Sequence, residues 1–371
     1  MAIWKIDELG EFVTLKRGYD LPQQKRKNGE IPIFSSSGVT GTHNEAMVEA
    51  PGVITGRYGT IGEVFFAETS FWPLNTTLYV ENFHENDEKF VYYFLKTLEW
   101  KKFASASAVP GINRNTVHKE IVRFPDFETQ QKIASVLSTI DKKIAVNKAI
   151  NDNLEQQAAT YFQELFINNA NPMWQISTIS DLGTVVGGST PSKTKPEHYT
   201  NNGIAWITPK DLSINKSKFI SHGENDITEL GLKNSSATVM PKGTVLFSSR
   251  APIGYIAIAS NEVTTNQGFK SVIPYSEIGT AFVYFFLKHS LPVIESAASG
   301  STFKEISGSA MKNIPAIIPD RNTLDQFNSF CAPIFAQQKI LEEQNHSLAM
   351  LRDSLLPKLM SGAIDIASIQ L

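Results

Sequence analysis

The sequence has a single cysteine, Cys331, and no long run of apolar residues. One cysteine excludes an internal disulfide and any cysteine-rich metal site. No apolar stretch approaches the roughly eighteen residues that a membrane-spanning helix needs. The first residues, MAIWKIDELG, lack the apolar core of a signal peptide. These absences predict a cytoplasmic protein that makes no use of a membrane.

The chain also lacks a strong charge of either sign. Its net charge is −3 and its isoelectric point is near 6.2, so charge alone does not indicate binding to nucleic acid or to an anionic membrane. Apolar residues make up 42% of the 371 residues and charged residues 19%. This composition supports packed cores and argues against global disorder. The length fits roughly two to four domains.

Motifs that would indicate catalysis are missing as well. The sequence has no P-loop, and the glycine-rich run at residues 56–62 does not fit GxGxxG, so a strand and turn with a basic tip explain it better. The seven histidines show no ligand spacing, and we predict no metal site. Residues 171–174, NPMW, resemble the NPPW-type loop of amino-methyltransferases, but no glycine-rich motif for a methyl donor accompanies them. We interpret them as a linker, and an enzyme is the least favoured function.

The most informative feature that is present is an internal repeat. The sequence FVYYFLK at residues 90–96 returns as FVYFFLK at residues 282–288, half a chain later. Other pairs recur at nearly the same offset: Ile61-Gly62 with Ile253-Gly254, Arg57 with Arg250, Ile121 with Ile314 and, less closely, Trp4 with Trp174. We interpret the chain as one module written twice, which predicts a pseudo-twofold molecule that contacts something with two related halves.

Each copy consists of a globular part followed by a helix. The globular parts, residues 1–127 and 171–321, are rich in Gly, Ser, Thr, Pro and aromatic residues. Short β-prone runs at residues 52–55, 203–208 and 243–247 are separated by turn signals such as Asn28-Gly29 and Asn202-Gly203. The two FVYYFLK-like segments are better interpreted as short buried helices, because their aromatic residues are spaced three or four apart. The predicted fold class is α+β.

Two long segments have a different composition. Residues 128–168 contain no Gly or Pro and carry apolar residues at helical spacing, and a second such segment runs from about Thr323 to Met360. About 40 residues at 1.5 Å each give rods of roughly 60 Å. An apolar stripe needs a partner, so we expect the two helices to pack against each other as an antiparallel, coiled-coil-like pair. The alternative is that they only form a bundle inside one domain.

Polar residues and prolines interrupt these helices. Asn147 and Asn151 stand in the apolar seam of the first helix, and Gln338 and Asn345 in that of the second. Buried polar side chains of this kind fix the register of a helix pair at some cost in stability. Pro333 and Pro357 are expected to kink or end the second helix.

Basic and hydrogen-bonding residues in the predicted loops are candidates for contacts with nucleic acid, because these residue types hold phosphates and read base edges. Loops in solvent look similar, so each residue is a candidate by position. In the first copy the candidates are Lys16, Arg17, Lys25, Arg26, Lys27, Arg57, Tyr58, Asn75 and Arg114. In the second copy they are Thr190, Ser192, Lys193, Lys210, Ser249, Arg250, Asn266 and Gln267, and Ser301-Thr302 is a further polar segment.

The whole pattern resembles a known family. It combines the order of globular part, helix, globular part and helix with local signatures. These are Gly-Thr-Ile-Gly at residues 59–62, Ala-Pro-Ile-Gly at 251–254, Asn75-Thr-Thr, Thr265-Asn-Gln-Gly268, Glu128-Thr-Gln-Gln-Lys-Ile133 at a helix start, and Ser354-Leu-Leu-Pro-Lys-Leu-Met-Ser-Gly362. In this combination the chain resembles the specificity subunit of type I restriction–modification systems.

The resemblance implies a function and a set of partners. The globular parts would be target-recognition domains that each read one half of a split double-stranded DNA sequence, and the paired helices would set the gap between the halves. Two methyltransferase subunits would carry S-adenosylmethionine and methylate adenine, and motor-nuclease subunits would cleave unmodified DNA. The specificity subunit itself would be non-catalytic and would need no cofactor or metal.

One part of the sequence departs from the family pattern. Asn322-Thr-Leu-Asp-Gln-Phe327 replaces the Glu-Gln-containing helix start of the first copy, and Pro333 follows soon after. We therefore expect the second helix to begin later or to bend.

The predicted organisation has four segments. It comprises a target-recognition domain at residues 1–127, a spacer helix at 128–170, a second target-recognition domain at 171–321, and a C-terminal spacer helix and tail at 322–371. The alternatives are a specificity subunit of another methylation system, or a protein–protein scaffold with two β-rich heads.

Overall fold

The computed structural model describes residues 3–105, 110–300 and 304–366. Its contacts divide the chain into two compact units: unit 1 consists of residues 1–145 and 346–371, and unit 2 of residues 146–345. Each unit therefore contains one globular part and a portion of each long helix. The polar segment Ser301-Thr302 lies outside the described residues.

Among its described residues, the N-terminal part of unit 1 has nine strands and four α-helices, and the last of these helices continues into unit 2. The strands are β1 (Trp4–Glu8), β2 (Thr14–Arg17), β3 (Ile31–Ser35), β4 (Gly38–His43), β5 (Gly52–Gly56), β6 (Val64–Ala67), β7 (Trp72–Pro73), β8 (Thr77–Asn82) and β9 (Ile121–Pro125). The helices are α1 (Leu9–Phe12), α2 (Glu88–Thr97), α3 (Arg114–His118) and α4 (Phe127–Gln163), and a π-helical turn at Glu164–Asn168 extends α4.

Unit 2 follows the same plan with additional elements. Its strands are β10 (Gln175–Thr178), β11 (Gly183–Gly187), β12 (Tyr199–Thr200), β13 (Ile204–Ile207), β14 (Phe219–Ile220), β15 (Asn225–Ile227), β16 (Val245–Ser249), β17 (Ile253–Ala259), β18 (Thr264–Thr265), β19 (Lys270–Pro274) and β20 (Pro315–Ile318). Its helices are α5 (Pro209–Ile214), α6 (Glu229–Lys233), α7 (Thr280–His289), α8 (Leu291–Ala297), α9 (Gly308–Lys312) and α10 (Arg321–Met360), which continues into unit 1.

The sheets of the two units confirm the internal repeat. Unit 1 has a sheet of order β2-β8-β5-β6, and unit 2 has the corresponding order β11-β19-β16-β17 with β14 added at the end. A smaller sheet contains the parallel pair β3–β7 in unit 1 and β13–β18 in unit 2. The pair β1–β9 is matched by β10–β20. The α+β prediction is confirmed.

The two FVYYFLK-like segments are helices, as the spacing of their aromatic residues predicts. In α2, the Asp87 carboxylate accepts a hydrogen bond from the amide of Phe90 (2.7 Å) and caps the helix. Phe90 and Tyr93 are almost completely buried and belong to the core of unit 1. The matched helix α7 contributes Phe282 and its neighbours to the core of unit 2. The repeated sequence is therefore a core element.

Both long helices are present, but the expectations that Pro333 would end the second helix and that this helix would begin later are wrong. Helix α10 begins at Arg321 and continues through Pro333 and Pro357 to Met360. Its start is fixed by Asp320, whose carboxylate accepts a hydrogen bond from the amide of Thr323 (3.1 Å). A proline inside a helix costs about 3 kcal/mol, and burial of neighbouring side chains such as Cys331 and Ile334 in the core of unit 2 offsets that cost at Pro333.

Within each unit the two helices run antiparallel. In unit 1, Leu137 of α4 and Leu359 of α10 share one core, and Asp141 accepts a 2.8 Å hydrogen bond from Arg352. In unit 2, the later residues of α4 pack against the early residues of α10. The ring centroids of Phe162 in α4 and Phe327 in α10 are 5.8 Å apart. Among the described residues, no helix is long and apolar enough to cross a membrane.

Candidate nucleic-acid interface

The first candidate site lies at one end of the four-stranded sheet of unit 1, where β2 and β5 end and β8 begins. Arg57 directly follows β5, and the amides of Arg57 and Tyr58 both donate to the carbonyl oxygen of Thr76, at 2.9 and 3.2 Å. Arg17 is the last residue of β2 and pairs in register with Leu78 of β8. This geometry brings together Arg17, Arg57, Tyr58 and the loop that carries Asn75.

The Arg57 side chain is held in a fixed position. Its guanidinium lies over the Tyr58 ring, 4.5 Å from the centroid, and its Nε donates to the carbonyl oxygen of Ile112 (3.2 Å). The Tyr58 ring in turn lies against Gly111, where a Cβ atom would come within 2.1 Å of it. Arg114, which opens α3, follows two residues after Ile112 in the chain. Among the described residues the other guanidinium nitrogens of Arg57 have no hydrogen-bond partner, so they can donate to an acceptor such as phosphate or guanine.

Acidic side chains form ion pairs or hydrogen bonds with several of the other residues predicted to contact nucleic acid. Asp20 accepts a hydrogen bond from Asn75 and lies 3.8 Å from a guanidinium nitrogen of Arg17. The Lys16 ammonium is 2.5 Å from a carboxylate oxygen of Glu81, and that hydrogen bond raises the pKa of Lys16. Lys16 is therefore already paired, whereas Arg57 is not paired with a carboxylate among the described residues.

The basic run Lys25, Arg26 and Lys27 does not join this cluster. The amide of Lys27 donates to His43 (3.0 Å) at the far end of the β3–β4 hairpin, whereas the turn of that hairpin, at Ser36, packs on Gly56 beside Arg57. Arg26 lies against Gly41 in the middle of β4. The structure thus separates two groups of cations that the sequence analysis treated alike.

The second candidate site occupies the matched end of the unit 2 sheet. Arg250 follows β16, and its guanidinium donates to the Glu305 carboxylate (3.2 Å). The same carboxylate lies 3.7 Å from the ammonium group of Lys270. Ser249 is fully buried, and its hydroxyl oxygen has no hydrogen-bond partner among the described residues. The surface at this end is therefore formed by Arg250 rather than by Ser249.

Amide and hydroxyl side chains lie beside Arg250. The Thr190 hydroxyl donates to the side-chain oxygen of Gln267, and the side-chain oxygen of Asn266 accepts from the amide of Gly268 (2.8 Å). Gly188 lets the two loops approach, because a Cβ there would lie 2.0 Å from the carbonyl oxygen of Asn266. Asn266 is partly exposed and Gln267 is exposed at this junction, and side-chain amides of this kind can read base edges.

Three further predicted residues flank this junction. The hydroxyl of Ser192 bonds to that of Thr194 (2.9 Å), and the neighbouring Lys193 is exposed. Lys210 stands at the start of α5, next to Pro209, which packs near Gly268. Its ammonium pairs with the Glu224 carboxylate at 2.6 Å, with both side chains more than half exposed. A pair this exposed contributes little to stability and can open for another partner.

Sequence reasoning missed the acidic residues of both sites and one lysine. Asp20 and Glu305 hold the cations described above, and Lys270 shares Glu305 with Arg250. No local pattern marks Glu305, because it is far from Arg250 in sequence and meets it only through the fold. Among the described residues, no cluster of His, Cys, Asp and Glu has the arrangement of a metal site, and burial raises the pKa of the Cys331 thiol to about 12.

Comparison with known proteins agrees with this architecture. A model of the type I restriction modification DNA specificity domain matches residues 1–156 and 171–345. The chain is 43% identical over 162 residues to the type I restriction enzyme MjaIX specificity subunit of Methanocaldococcus jannaschii, across 43% of this chain and 37% of that protein. It is 24% identical over 347 residues to the HindI specificity subunit of Haemophilus influenzae, across 72% of this chain and 75% of that one.

A solved structure gives the same fold. A type I restriction–modification S subunit from M. genitalium superposes with a TM-score of 0.66 at 18% sequence identity and covers 96% of both chains. A doubled α+β unit with two long helices is the fold of a two-domain S subunit. This chain belongs to the type I restriction–modification DNA specificity family.

Proposed function

We propose that the protein is a non-catalytic specificity subunit that reads a bipartite, asymmetric DNA target. The observation that carries this proposal is the matched placement of Arg57 and Arg250 at equivalent sheet ends with different neighbours. Arg57 stacks on Tyr58, whereas Arg250 is paired with Glu305 beside Asn266 and Gln267. Because the surroundings differ, the two half-sites should differ in sequence.

In this proposal other subunits supply the chemistry. Two methyltransferase subunits that use S-adenosylmethionine would methylate adenine in each half-site, and motor-nuclease subunits would join them for cleavage. The near-neutral charge of the chain, −3 overall, fits a DNA reader whose partners supply part of the grip on the phosphates. The cytoplasmic location stays a prediction.

Mapping modified bases in the genome of a host with and without this gene tests the proposal. The expected result is the loss of one split adenine-methylated motif. Arg57→Ala and Arg250→Ala should each relax a different half of the motif, at a cost of about 1–3 kcal/mol per lost base contact. Arg321→Ala is the matched control, because Arg321 lies on the exposed first turn of α10 and pairs with Asp325 (2.8 Å). An unchanged methylation map in both variants would refute the assignment of these arginines.

Salt dependence separates DNA reading from the alternative of a protein–protein scaffold. A subunit that holds phosphates should lose DNA affinity steeply as salt rises, with a slope that tracks the number of phosphates contacted. A scaffold with two protein-binding heads would show no such slope. A specificity subunit of another methylation system would show the same slope but would assemble with different partners.

The helices are proposed to act as a spacer. Four residues added to each helix, between residues 145 and 146 and between 345 and 346, lengthen the pair by about 6 Å. This equals roughly two base pairs. The gap in the methylated motif should grow while both half-sites stay the same. A gap of unchanged length would contradict the spacer role.

A further inference from the structure

The two units differ at one edge of their main sheets. In unit 2, β14 pairs in parallel with the outer edge of β17, at Phe219↔Ile258 and Ile220↔Ala259. In unit 1 the matched strand β6 is the last strand of its sheet. The difference arises between the strands of the smaller sheet: residues 208–224 connect β13 to β15, whereas only Ser36 and Ser37 connect β3 to β4.

The added strand of unit 2 is firmly bound. The amide of Ile258 donates to the carbonyl oxygen of Lys218 (2.7 Å), and that of Ser260 donates to Ile220 (2.8 Å). The Phe219 ring packs edge-on against Phe335 of α10, with centroids 5.9 Å apart. Ile220 is 3% exposed. An extended segment thus fills the space between the sheet edge and the helix.

The corresponding space in unit 1 is a groove of about 710 Å³. One wall is the edge strand β6 with Phe65 and Phe66, a second is the β3–β4 hairpin with Val39, and a third is α4 with Asp141 and Lys142. The Val39 side chain is 58% exposed. Apolar side chains therefore line a slot beside a strand edge that no described strand covers.

The groove offers both backbone and charge for recognition. Phe66 and Glu68 take the places of Ile258 and Ser260 in the repeat, so their amides are the donors that a strand on this edge would use. Asp141 is paired with Arg352 (2.8 Å) and Lys89 with Glu68 (3.4 Å). Among the described residues Lys142 forms no salt bridge, so the helix wall of the groove presents one unpaired cation.

We propose that this groove binds an extended segment of a partner polypeptide, which adds to β6 as a parallel strand. The segment would place an aromatic and an aliphatic side chain where unit 2 has Phe219 and Ile220, and an acidic side chain beside Lys142. Edge strands left open in this way are templates for strand addition. This role as a protein-binding surface is separate from the proposed reading of DNA.

Two synthetic peptides test the proposal on the full chain. One, named the basic peptide, has the sequence of residues 215–222 of this protein. The other is the same peptide with Lys218→Glu, and it is named the acidic peptide for the carboxylate that it places at the tested position, although both peptides keep Lys216. The acidic peptide should bind with a dissociation constant in the micromolar range and about tenfold more tightly than the basic one. Hydrogen exchange at the amides of Phe66 and Glu68 should slow when it binds.

Variants of the groove give the controls. Val39→Asp should weaken binding of the acidic peptide about tenfold or more, whereas Ile214→Asp, at a 73% exposed apolar residue on α5 in unit 2, should leave it unchanged. Lys142→Glu should reverse the preference, so that the basic peptide binds better. Absence of binding by both peptides at about 1 mM, or binding that neither Val39→Asp nor Lys142→Glu alters, would overturn the proposal.

Discussion

The Asn147 side chain donates a hydrogen bond to the side-chain oxygen of Asn345 (3.0 Å) across the helix pair in unit 2. Asn147 is fully buried, and its second partner, the side-chain oxygen of Gln344, is 3.4 Å away. Four residues further along α4, the backbone oxygen of Asn151 accepts from the Gln338 side chain (3.1 Å). These contacts can form only in one register, so the polar residues in the apolar seam align the two helices.

The contact between Asn147 and Asn345 predicts how substitutions there change the stability of unit 2. Asn345→Leu should cost about 1–3 kcal/mol, because it leaves the buried Asn147 amide without its best acceptor. The double variant with Asn147→Leu should recover most of that loss, because two leucines can pack in the seam. Chemical denaturation of the single and double variants measures the coupling. If the double variant loses as much free energy of unfolding as the two single variants together, the assigned contact is contradicted.

A buried ion pair joins the globular part of unit 2 to both helices. The Lys218 ammonium pairs with Glu155, donates to the Gln338 side chain (2.6 Å) and lies 4.1 Å from the centre of the Phe335 ring. Burial alone would raise the pKa of Glu155, but the charges of Lys218 and Lys288 have a larger effect in the opposite direction. The pKa of Glu155 therefore lies below its ordinary value. Glu155 therefore stays ionised at neutral pH.

Removing the Lys218 charge should destabilise unit 2. Lys218→Met is expected to cost about 3 kcal/mol, because Glu155 then keeps one cationic partner, Lys288, and the Tyr284 hydroxyl (3.2 Å) in a largely buried site. Lys210→Met is the matched control, since the pair of Lys210 with Glu224 is exposed on both sides and its loss should not be measurable. Thermal unfolding of the two variants compares them directly. A loss of similar size in both would show that burial is not what makes the Lys218 pair important.

The start of α4 gives a pH-dependent prediction. Asp126 accepts hydrogen bonds from the amides of Thr129 (3.0 Å) and Ile3 (2.8 Å), and these bonds lower its pKa below 3.8. Asp126→Ala should cost about 1 kcal/mol. Since the folded-state pKa is depressed, the stabilisation is present above the unfolded value of 3.8 and is lost as pH falls through the lower folded value.

Urea denaturation at several pH values tests this assignment. The difference between wild type and Asp126→Ala should be constant near neutral pH and shrink below about pH 4. Asp126→Asn keeps a capping oxygen but no charge, so it should cost less stability than Asp126→Ala. The difference in stability between these two variants should not depend on pH in this range, because neither titrates at position 126. If Asp126→Ala loses the same free energy of unfolding at pH 7 and at about pH 3, Asp126 does not cap the helix through its ionised carboxylate.

The shared carboxylate of unit 2 predicts a change in DNA affinity. Glu305→Gln removes the charge that holds both Arg250 and Lys270, so affinity for any DNA should rise and its dependence on salt should become steeper. Discrimination between sequences should fall, because Arg250 loses its fixed position. Glu295→Gln, on the exposed surface of α8, is the control of equal charge. Titration with labelled DNA at several salt concentrations measures both effects. If Glu305 has a purely structural role, Glu305→Gln should instead lower the affinity for DNA.

Sequence patterns were sufficient for the parts of the fold that depend on local order. The FVYYFLK-like helices, the two long helices and the repeat itself follow from spacing and recurrence, because helical periodicity is a property of neighbouring residues. Helix α10 differs from the sequence-based expectation in its start and its continuity, because it begins at Arg321 and does not end at Pro333. The predicted effect of Pro333 is local, whereas the packing of Phe327, Cys331 and Ile334 in the core of unit 2 extends over the whole helix start.

The sequence by itself determined that the chain repeats, that each repeat pairs a mixed globular part with a long helix, and that Asn147, Asn151, Gln338 and Asn345 interrupt the apolar seam. Tertiary structure alone decided which charges remain available. Arg250 meets Glu305 and Lys16 meets Glu81 through strand pairing and loop packing, and the groove beside β6 exists because the long excursion of unit 2 is a two-residue turn in unit 1. Contacts between residues distant in sequence depend on the assembled sheets, and no local pattern encodes them.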